Sequence, residues 1–374
     1  MSEHALLSAS SASRWMACPP SALLNAKEPD QTSDYAEEGT EAHKLCEYKL
    51  KQNLGQEMAD PRVGMKFYTQ EMEDCADDYV RFILEQKAEI EKTCMDPLLL
   101  IEQKLDFSEY VPDGFGTGDC LLISDNQIQV IDFKYGTGVE VNSEKNPQMM
   151  CYGLGALLLY DGIYDIDSIK MTIFQPRKQN ISSYEISKDE LLDWAQNTLK
   201  PAANLAANGE GEFKAGDHCR FCKLKNKCRK RAEYNLELAR YDFEPPVELE
   251  DAEIEAILEK ADQLVSWVND IKEYALNSAL QGKKWDGWKL VEGRSNRKFK
   301  SEAETAKIVE EAGFDPWQKK LLGITEMTKM LGKTKFNELL KEQIIKPKGK
   351  PTLVTRDDKR KEMNIAASDF EGEE

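Results

Sequence analysis

Gly114-Phe-Gly-Thr-Gly-Asp119-Cys-Leu-Leu-Ile-Ser-Asp-Asn-Gln-Ile-Gln-Val-Ile-Asp132-Phe-Lys134 is the stretch that decides how this chain is read. Two β-rich runs, Asp119–Ser124 and Gln127–Lys134, flank the turn pair Asp125-Asn126, the pattern of an antiparallel hairpin. Asp119 opens one strand and Asp132 lies near the end of the next, so pairing brings two carboxylates to one edge of a sheet. Lys134 follows Asp132 by two residues and on a strand points to the same face. Adjacent carboxylates repel and shift each other's pKa unless a divalent cation neutralises them. Hard oxygen ligands of this kind suit Mg²⁺ or Mn²⁺. A lysine beside them can position water and stabilise charge developing on a phosphate. A turn aspartate and a same-face salt bridge would leave the same letters. Against that, a strand that is apolar except for an Asp and a Lys near its end spends burial energy on charge, which is usually tolerated for function. The glycine triplet precedes a strand, whereas a dinucleotide fingerprint follows one and opens a helix, so a nucleotide loop is set aside.

Outward from this hairpin, apolar spacing predicts a short helical opening over 8–28 interrupted by Pro19-Pro20, then helices over Glu37–Leu50 and Met65–Lys92. Leu98–Phe107 reads as a strand. Downstream, Pro147–Tyr160 is helical, Ser168–Gln175 and Ile181–Ile186 are strands, and Lys188–Asn208 is a further helix. That order predicts an α/β fold, a mixed sheet flanked by helices. Tyr241-Asp-Phe-Glu-Pro-Pro marks a linker. The division expected is residues 1–240 as one domain, 241–368 as a mainly helical region (Asp251–Leu280, Ser301–Ala312, Thr325–Glu342, with a strand pair over Trp285–Phe299), and 369–374 as an acidic tail.

The chain has 374 residues, with 50 Lys+Arg against 68 Asp+Glu, a net charge of −18. Such a charge argues against coating nucleic acid with the whole surface but leaves room for a local basic groove. No run of about 18 apolar residues is present, so no membrane span is expected. The N-terminus lacks the form of a secretory signal, which points to a reducing cytoplasm. There the nine cysteines serve as buried thiols or metal ligands. Cys219-Arg-Phe-Cys222-Lys-Leu-Lys-Asn-Lys-Cys228 has C-x2-C-x5-C spacing, and Arg220, Lys223, Lys225, Lys227, Arg229 and Lys230 would favour thiolates. A fourth ligand is missing locally. His218 could complete a Zn²⁺ site, though it sits awkwardly beside Cys219 for a tetrahedron; Cys18 is the distant alternative. Cys46, Cys75, Cys94, Cys120 and Cys151 stand at no ligand spacing and read as buried thiols.

Three motifs in order carry a resemblance. Gly39-Thr-Glu-Ala-His43 is similar to a G-x-x-x-H helix motif, Ile131-Asp-Phe-Lys134 to a D-Y-K-T motif, and Gln148-Met-Met-Cys-Tyr152 to a Q-x-x-x-Y signature. Together they resemble the RecB-like branch of the PD-(D/E)XK nuclease superfamily from about Ser8 to Arg231. The resemblance implies a restriction-endonuclease-like sheet and a phage or prophage setting. By it, His43, Asp119, Asp132 and the main-chain carbonyl of Phe133 would hold the metal, and Lys134 would be the catalytic lysine. Gln148 and Tyr152 would orient water or the DNA backbone, and Glu102 is a weaker candidate for an outer metal ligand or a second site. Phe133 and Tyr135-Gly136 depart from the common wording of the second motif without removing a ligand. The cysteine set is similar to that of the iron–sulfur members, which include AddB-type subunits and CRISPR-associated exonucleases; this implies a [4Fe–4S] cluster on Cys18, Cys219, Cys222 and Cys228, with Zn²⁺ as the alternative.

Contacts with DNA, single- or double-stranded, are expected from Arg220, Lys223, Lys225 and Lys227 in the basic stretch 214–231, and from a second basic segment where Trp285, Trp288, Arg294 and Arg297 combine stacking with cations. A strand pair burying tryptophans would show the same composition. The function expected is a metal-dependent deoxyribonuclease, an exonuclease of DNA recombination, repair or replication in a bacterium or phage-infected host. No helicase P-loop occurs, so unwinding would come from a helicase partner, and a single-strand annealing or binding protein is a second candidate partner. The alternatives are a catalytically silent DNA-binding scaffold with the same fold and a zinc-binding interaction protein.

Overall fold

The structure is a computed structural model and describes residues 5–29, 33–237, 250–291, 300–311, 316–317, 322–331 and 333–345. Helices α1 (Ala12–Ala17), α2 (Ser21–Ala26), α3 (Asp34–Asn53) and α4 (Gln70–Ile90) precede strands β1 (Leu98–Asp106), β2 (Phe115–Ile123) and β3 (Gln127–Phe133). Helix α5 (Pro147–Tyr160) leads into β4 (Ser168–Gln175) and β5 (Asn180–Ser187), followed by α6 (Lys188–Trp194), α7 (Lys200–Asn208), α8 (Arg229–Leu236) and α9 (Asp251–Leu280). The sheet order is β1-β2-β3-β4-β5, antiparallel except between β3 and β4, which run parallel. A parallel pair needs a crossover, and α5 is the helix within it. This is the mixed α/β architecture that the sequence predicts.

Both faces of the sheet are covered. Leu121, Ile123, Ile128 and Val130 pack with α5 residues such as Met150 and Leu154, while Cys120, Leu122, Ile131 and Phe133 pack against α3 and α4 through Leu45, Tyr79 and Ile83. Alternate residues of β2 and β3 therefore enter two cores, which explains their near-continuous apolar sequence. Each large side chain buried this way contributes about 1.5–3 kcal/mol. Helix starts follow local chemistry: Ser33 and Thr69 accept from Ala36 and Met72, and Asn146 caps α5 with Pro147 at its first position. The single helix expected over Lys188–Asn208 is split by a π-type turn at Ala195–Leu199, just before Pro201. A proline offers no N–H to an α-ladder, and the wider turn absorbs the loss.

The chain divides into two compact units, Met1–Asn277 and Ser278–Glu374. The second contains α10 (Glu302–Glu311), α11 (Ile324–Leu331) and α12 (Lys333–Leu340). In place of the strand pair expected over Trp285–Phe299, the described residues there show an isolated bridge between Trp285 and Trp288. Arg294, Arg297, the 241–249 linker and the 369–374 tail lie outside the described residues.

Candidate active site and cysteine loop

Strand register lines up three carboxylates. Ile101 pairs with Cys120 and Gln103 with Gly118, so Glu102 falls opposite Asp119. The β2–β3 pairing ends at Cys120 and Ile131, with Asp119 and Asp132 the next residue on each strand and close enough for their charges to act on each other. Glu102 has φ +51°, in the left-handed region that costs a non-glycine residue about 1–2 kcal/mol. His43 reaches the row from α3, its Nδ1 3.3 Å from Asp119 Oδ1, with its ring edge-on to Phe133 at 5.4 Å. His43, Glu102 and Asp119 each offer a ligand atom, all within 4.8 Å of one another. Phe133 takes part through its main-chain N–H, which donates to Asp119 Oδ2 at 2.7 Å.

Asp132 is drawn into a second cluster. Lys134 Nζ lies 2.9 Å from its Oδ2 and donates to Gln148 Oε1 at 3.2 Å. Gln148 Nε2 donates to Asp132 Oδ1 at 3.3 Å and to the Tyr152 hydroxyl at 3.2 Å. One amide thus grips both members of the Asp132–Lys134 pair, with Gln148 and Tyr152 one turn apart on α5. Gly116 on β2 makes room for this: a Cβ there would stand 2.6 Å from Tyr152 Cε1. The site therefore separates into a His43–Glu102–Asp119 ligand group and an Asp132–Lys134–Gln148–Tyr152 cluster beside it.

Electrostatics agree with an anionic pocket. Burial, then the charge of Asp119, pushes Glu102 up to about 7. Burial works against the His43 cation, but Asp119 outweighs it and raises His43 to about 9. Asp119 itself is held below the carboxylate range because His43 and Lys134 overcome its burial, whereas burial raises Asp132 despite Lys134. Lys134 stays cationic because Asp132 and Asp119 outweigh its burial. Protons held this tightly stand where positive charge is wanted, and one imidazole nitrogen with two carboxylates is a donor set that fits a divalent cation.

The four proposed cluster cysteines line one cavity of about 430 Å³, although Cys18 lies two hundred residues from the others in sequence. Among the described residues the His43 group alone gathers three ligand atoms within 4.8 Å, so no three of these sulfurs lie that close to one another. Two partners escaped the sequence reading. Arg14, buried beside Cys18 and Cys222, donates to the Ser21 carbonyl at 2.9 Å, and Asn25 Nδ2 donates to Cys222 Sγ at 3.3 Å. The only hint was a lone arginine four residues before Cys18 in an otherwise small and apolar helix. The remaining thiols, Cys46, Cys75, Cys94, Cys120 and Cys151, are buried.

The basic loop residues are largely engaged within the protein. Lys227 pairs with Glu28 at 3.0 Å, Lys225 with Asp270 at 2.8 Å, and Lys223 Nζ donates to the Glu28 carbonyl at 3.1 Å. Arg220 is exposed. In the second unit Trp288 is 83% exposed, so it is no core tryptophan, and Lys283 lies over the Trp285 ring.

The mixed sheet covered by helices thus carries a carboxylate row, half-buried at Glu102 and Asp119 and buried at Asp132, and the same unit holds a cavity lined by four cysteines. The family described as "Protein of unknown function (DUF2800)" matches residues 4–361, and this chain belongs to it. Among solved structures the chain is similar to the one described as "Crystal structure of SSO0001", at 16% identity and a TM-score of 0.25, covering 50% of this chain and 94% of that one; likeness at that level carries no argument. Among the described residues, no helix is long and apolar enough to cross a membrane.

Proposed function

We propose that this chain is a metal-dependent deoxyribonuclease of the RecB-like PD-(D/E)XK type, acting as an exonuclease on DNA ends in recombination, repair or replication in a bacterial or phage-infected cytoplasm. The observation that carries the reading is the cross-strand row Glu102–Asp119–Asp132, with His43 at one side and Lys134 clamped by Gln148 at the other. Mg²⁺ or Mn²⁺ held by His43, Glu102 and Asp119 would supply the positive charge that activates water and offsets a phosphodiester. By the resemblance, Asp132 and the Phe133 carbonyl complete that ligand set.

Lys134 then orients the attacking water or donates to a phosphate oxygen as charge accumulates there. Asp132 keeps it protonated, and Gln148 fixes its direction. The cysteine cavity would hold a structural [4Fe–4S] cluster rather than Zn²⁺, supported by the gathering of the four cysteines around one cavity and by the buried Arg14 cation. Arg220, Trp285 and Trp288 are the described residues best placed by chemistry for single-stranded DNA. A helicase or single-strand-binding partner would supply unwound substrate.

The deciding experiment is an assay of anaerobically purified protein on end-labelled linear and circular DNA with Mg²⁺ or Mn²⁺. Linear DNA is degraded from its ends, and Asp119→Ala or Lys134→Ala lowers the rate by about 10² or more with folding intact. Digestion unaffected by both substitutions overturns the site assignment, and DNA binding without digestion by the native protein favours a silent scaffold.

A further inference from the structure

Helix α9, most of which belongs to the first unit, is held to the rest of that unit by one face. Asp270 accepts from Arg231 and pairs with Lys225, Gln263 donates to Asp217 at 2.9 Å, Lys260 donates to Glu237 at 2.7 Å, and Trp267 is buried between these levels. The opposite face leaves large apolar side chains in water: Ile254 at 42%, Leu258 at 50%, Val265 at 59%, Leu276 at 51% and Leu280 at 68% exposure. At 100° per residue these five fall within an arc of about 80°, a straight stripe about 39 Å long. Scattered exposed leucines need no explanation, but a stripe running nearly the full length of one helix does.

Its layout is self-complementary. Ile254 and Leu280 lie thirteen residues either side of Trp267, Leu258 and Leu276 lie nine either side, and Asp262 and Lys272 lie five either side. Laid antiparallel across a two-fold axis at the level of residue 267, each apolar residue of the outer pairs meets an apolar mate. Each Asp262, exposed on one copy, meets Lys272, exposed on the other. Val265 meets Asn269, the one apolar position of the stripe without an apolar mate. A parallel arrangement would instead stack Asp262 on Asp262 and Lys272 on Lys272. Isologous pairing of this sort is the commonest route to a homodimer.

We propose that the outer face of α9 pairs with the same face of a second copy of this chain, giving an antiparallel two-helix seam and a homodimer. Sedimentation equilibrium of the full chain shows a dimer. Leu258→Glu/Leu276→Glu shifts it to monomer with its far-ultraviolet circular dichroism unchanged. Asp262→Lys alone weakens association about tenfold, since the altered pair occurs twice per dimer, and Asp262→Lys/Lys272→Asp returns it to within about threefold of the native value. A native chain that is monomeric up to about 100 μM, or a dimer that survives Leu258→Glu/Leu276→Glu, overturns the proposal. Failure of the double charge exchange to rescue association overturns the antiparallel register.

Discussion

Glu102 and His43 both bind protons more tightly in the folded chain than their types do in water, and the two shifts act in the same direction on stability. The Glu102 carboxyl, ordinarily near 4.5, moves up to about 7; its ionisation therefore costs stability progressively as pH rises through that window. The His43 imidazolium, ordinarily near 6.5 and here about 9, contributes stability that is fully present below 6.5 and is lost as pH climbs to 9. Thermal melts in a chelator should thus show Tm falling from about pH 5 to 9, and His43→Gln should flatten the upper half of that slope. A Tm that holds constant across the range refutes the anionic pocket. Gly116→Ala is expected to cost about 1–3 kcal/mol, because the added methyl drives Tyr152 off its place; denaturant unfolding measures it. Asp119, Asp132 and Lys134 were legible because strand spacing alone brings them together. Glu102 ranked lower in the sequence because its place depends on register with β2 and a left-handed backbone turn, neither of which a run of letters displays.

Elements were read well where their period is local and poorly where distant packing decides. The glycines of 114–118 look like a loop, yet most of them lie in β2, where Gly118 admits Leu105 and Gly116 admits Tyr152. Residues far away in sequence make those glycines strand residues. The same non-local logic governs α9: Asp270 neutralises Arg231, which is 5% exposed. Asp270→Ala should cost about 2 kcal/mol by leaving that cation without its partner, visible as a lower first transition in thermal unfolding. Cys18→Ser should lower Tm and bleach an absorption near about 400 nm in anaerobically purified protein. A colourless protein holding stoichiometric zinc would refute the cluster.

For the whole molecule, the charge of −18 looked hostile to DNA, and the basic 214–231 segment looked like the remedy. Much of that segment turns out to be mortar, since Lys223, Lys225 and Lys227 bind Glu28 and Asp270. Lys225→Ala and Lys227→Ala should therefore lower thermal stability and leave the salt dependence of DNA binding unchanged. Arg220→Ala should reduce the log K against log salt slope by about 1. Equal losses of slope for all three would show that these lysines do face the nucleic acid.

That mortar also sets an order of events. Asn25, in α2, accepts from the Lys223 main chain at 2.7 Å, and Cys18 waits for three sulfurs some two hundred positions on. During synthesis the first helices leave the ribosome without their neighbours and stay so for on the order of ten seconds or more. The leading helices can settle on the sheet's core once α5 and α7 have been made, and the cysteine loop, one of the later parts of the first unit, is the latch that then fastens them.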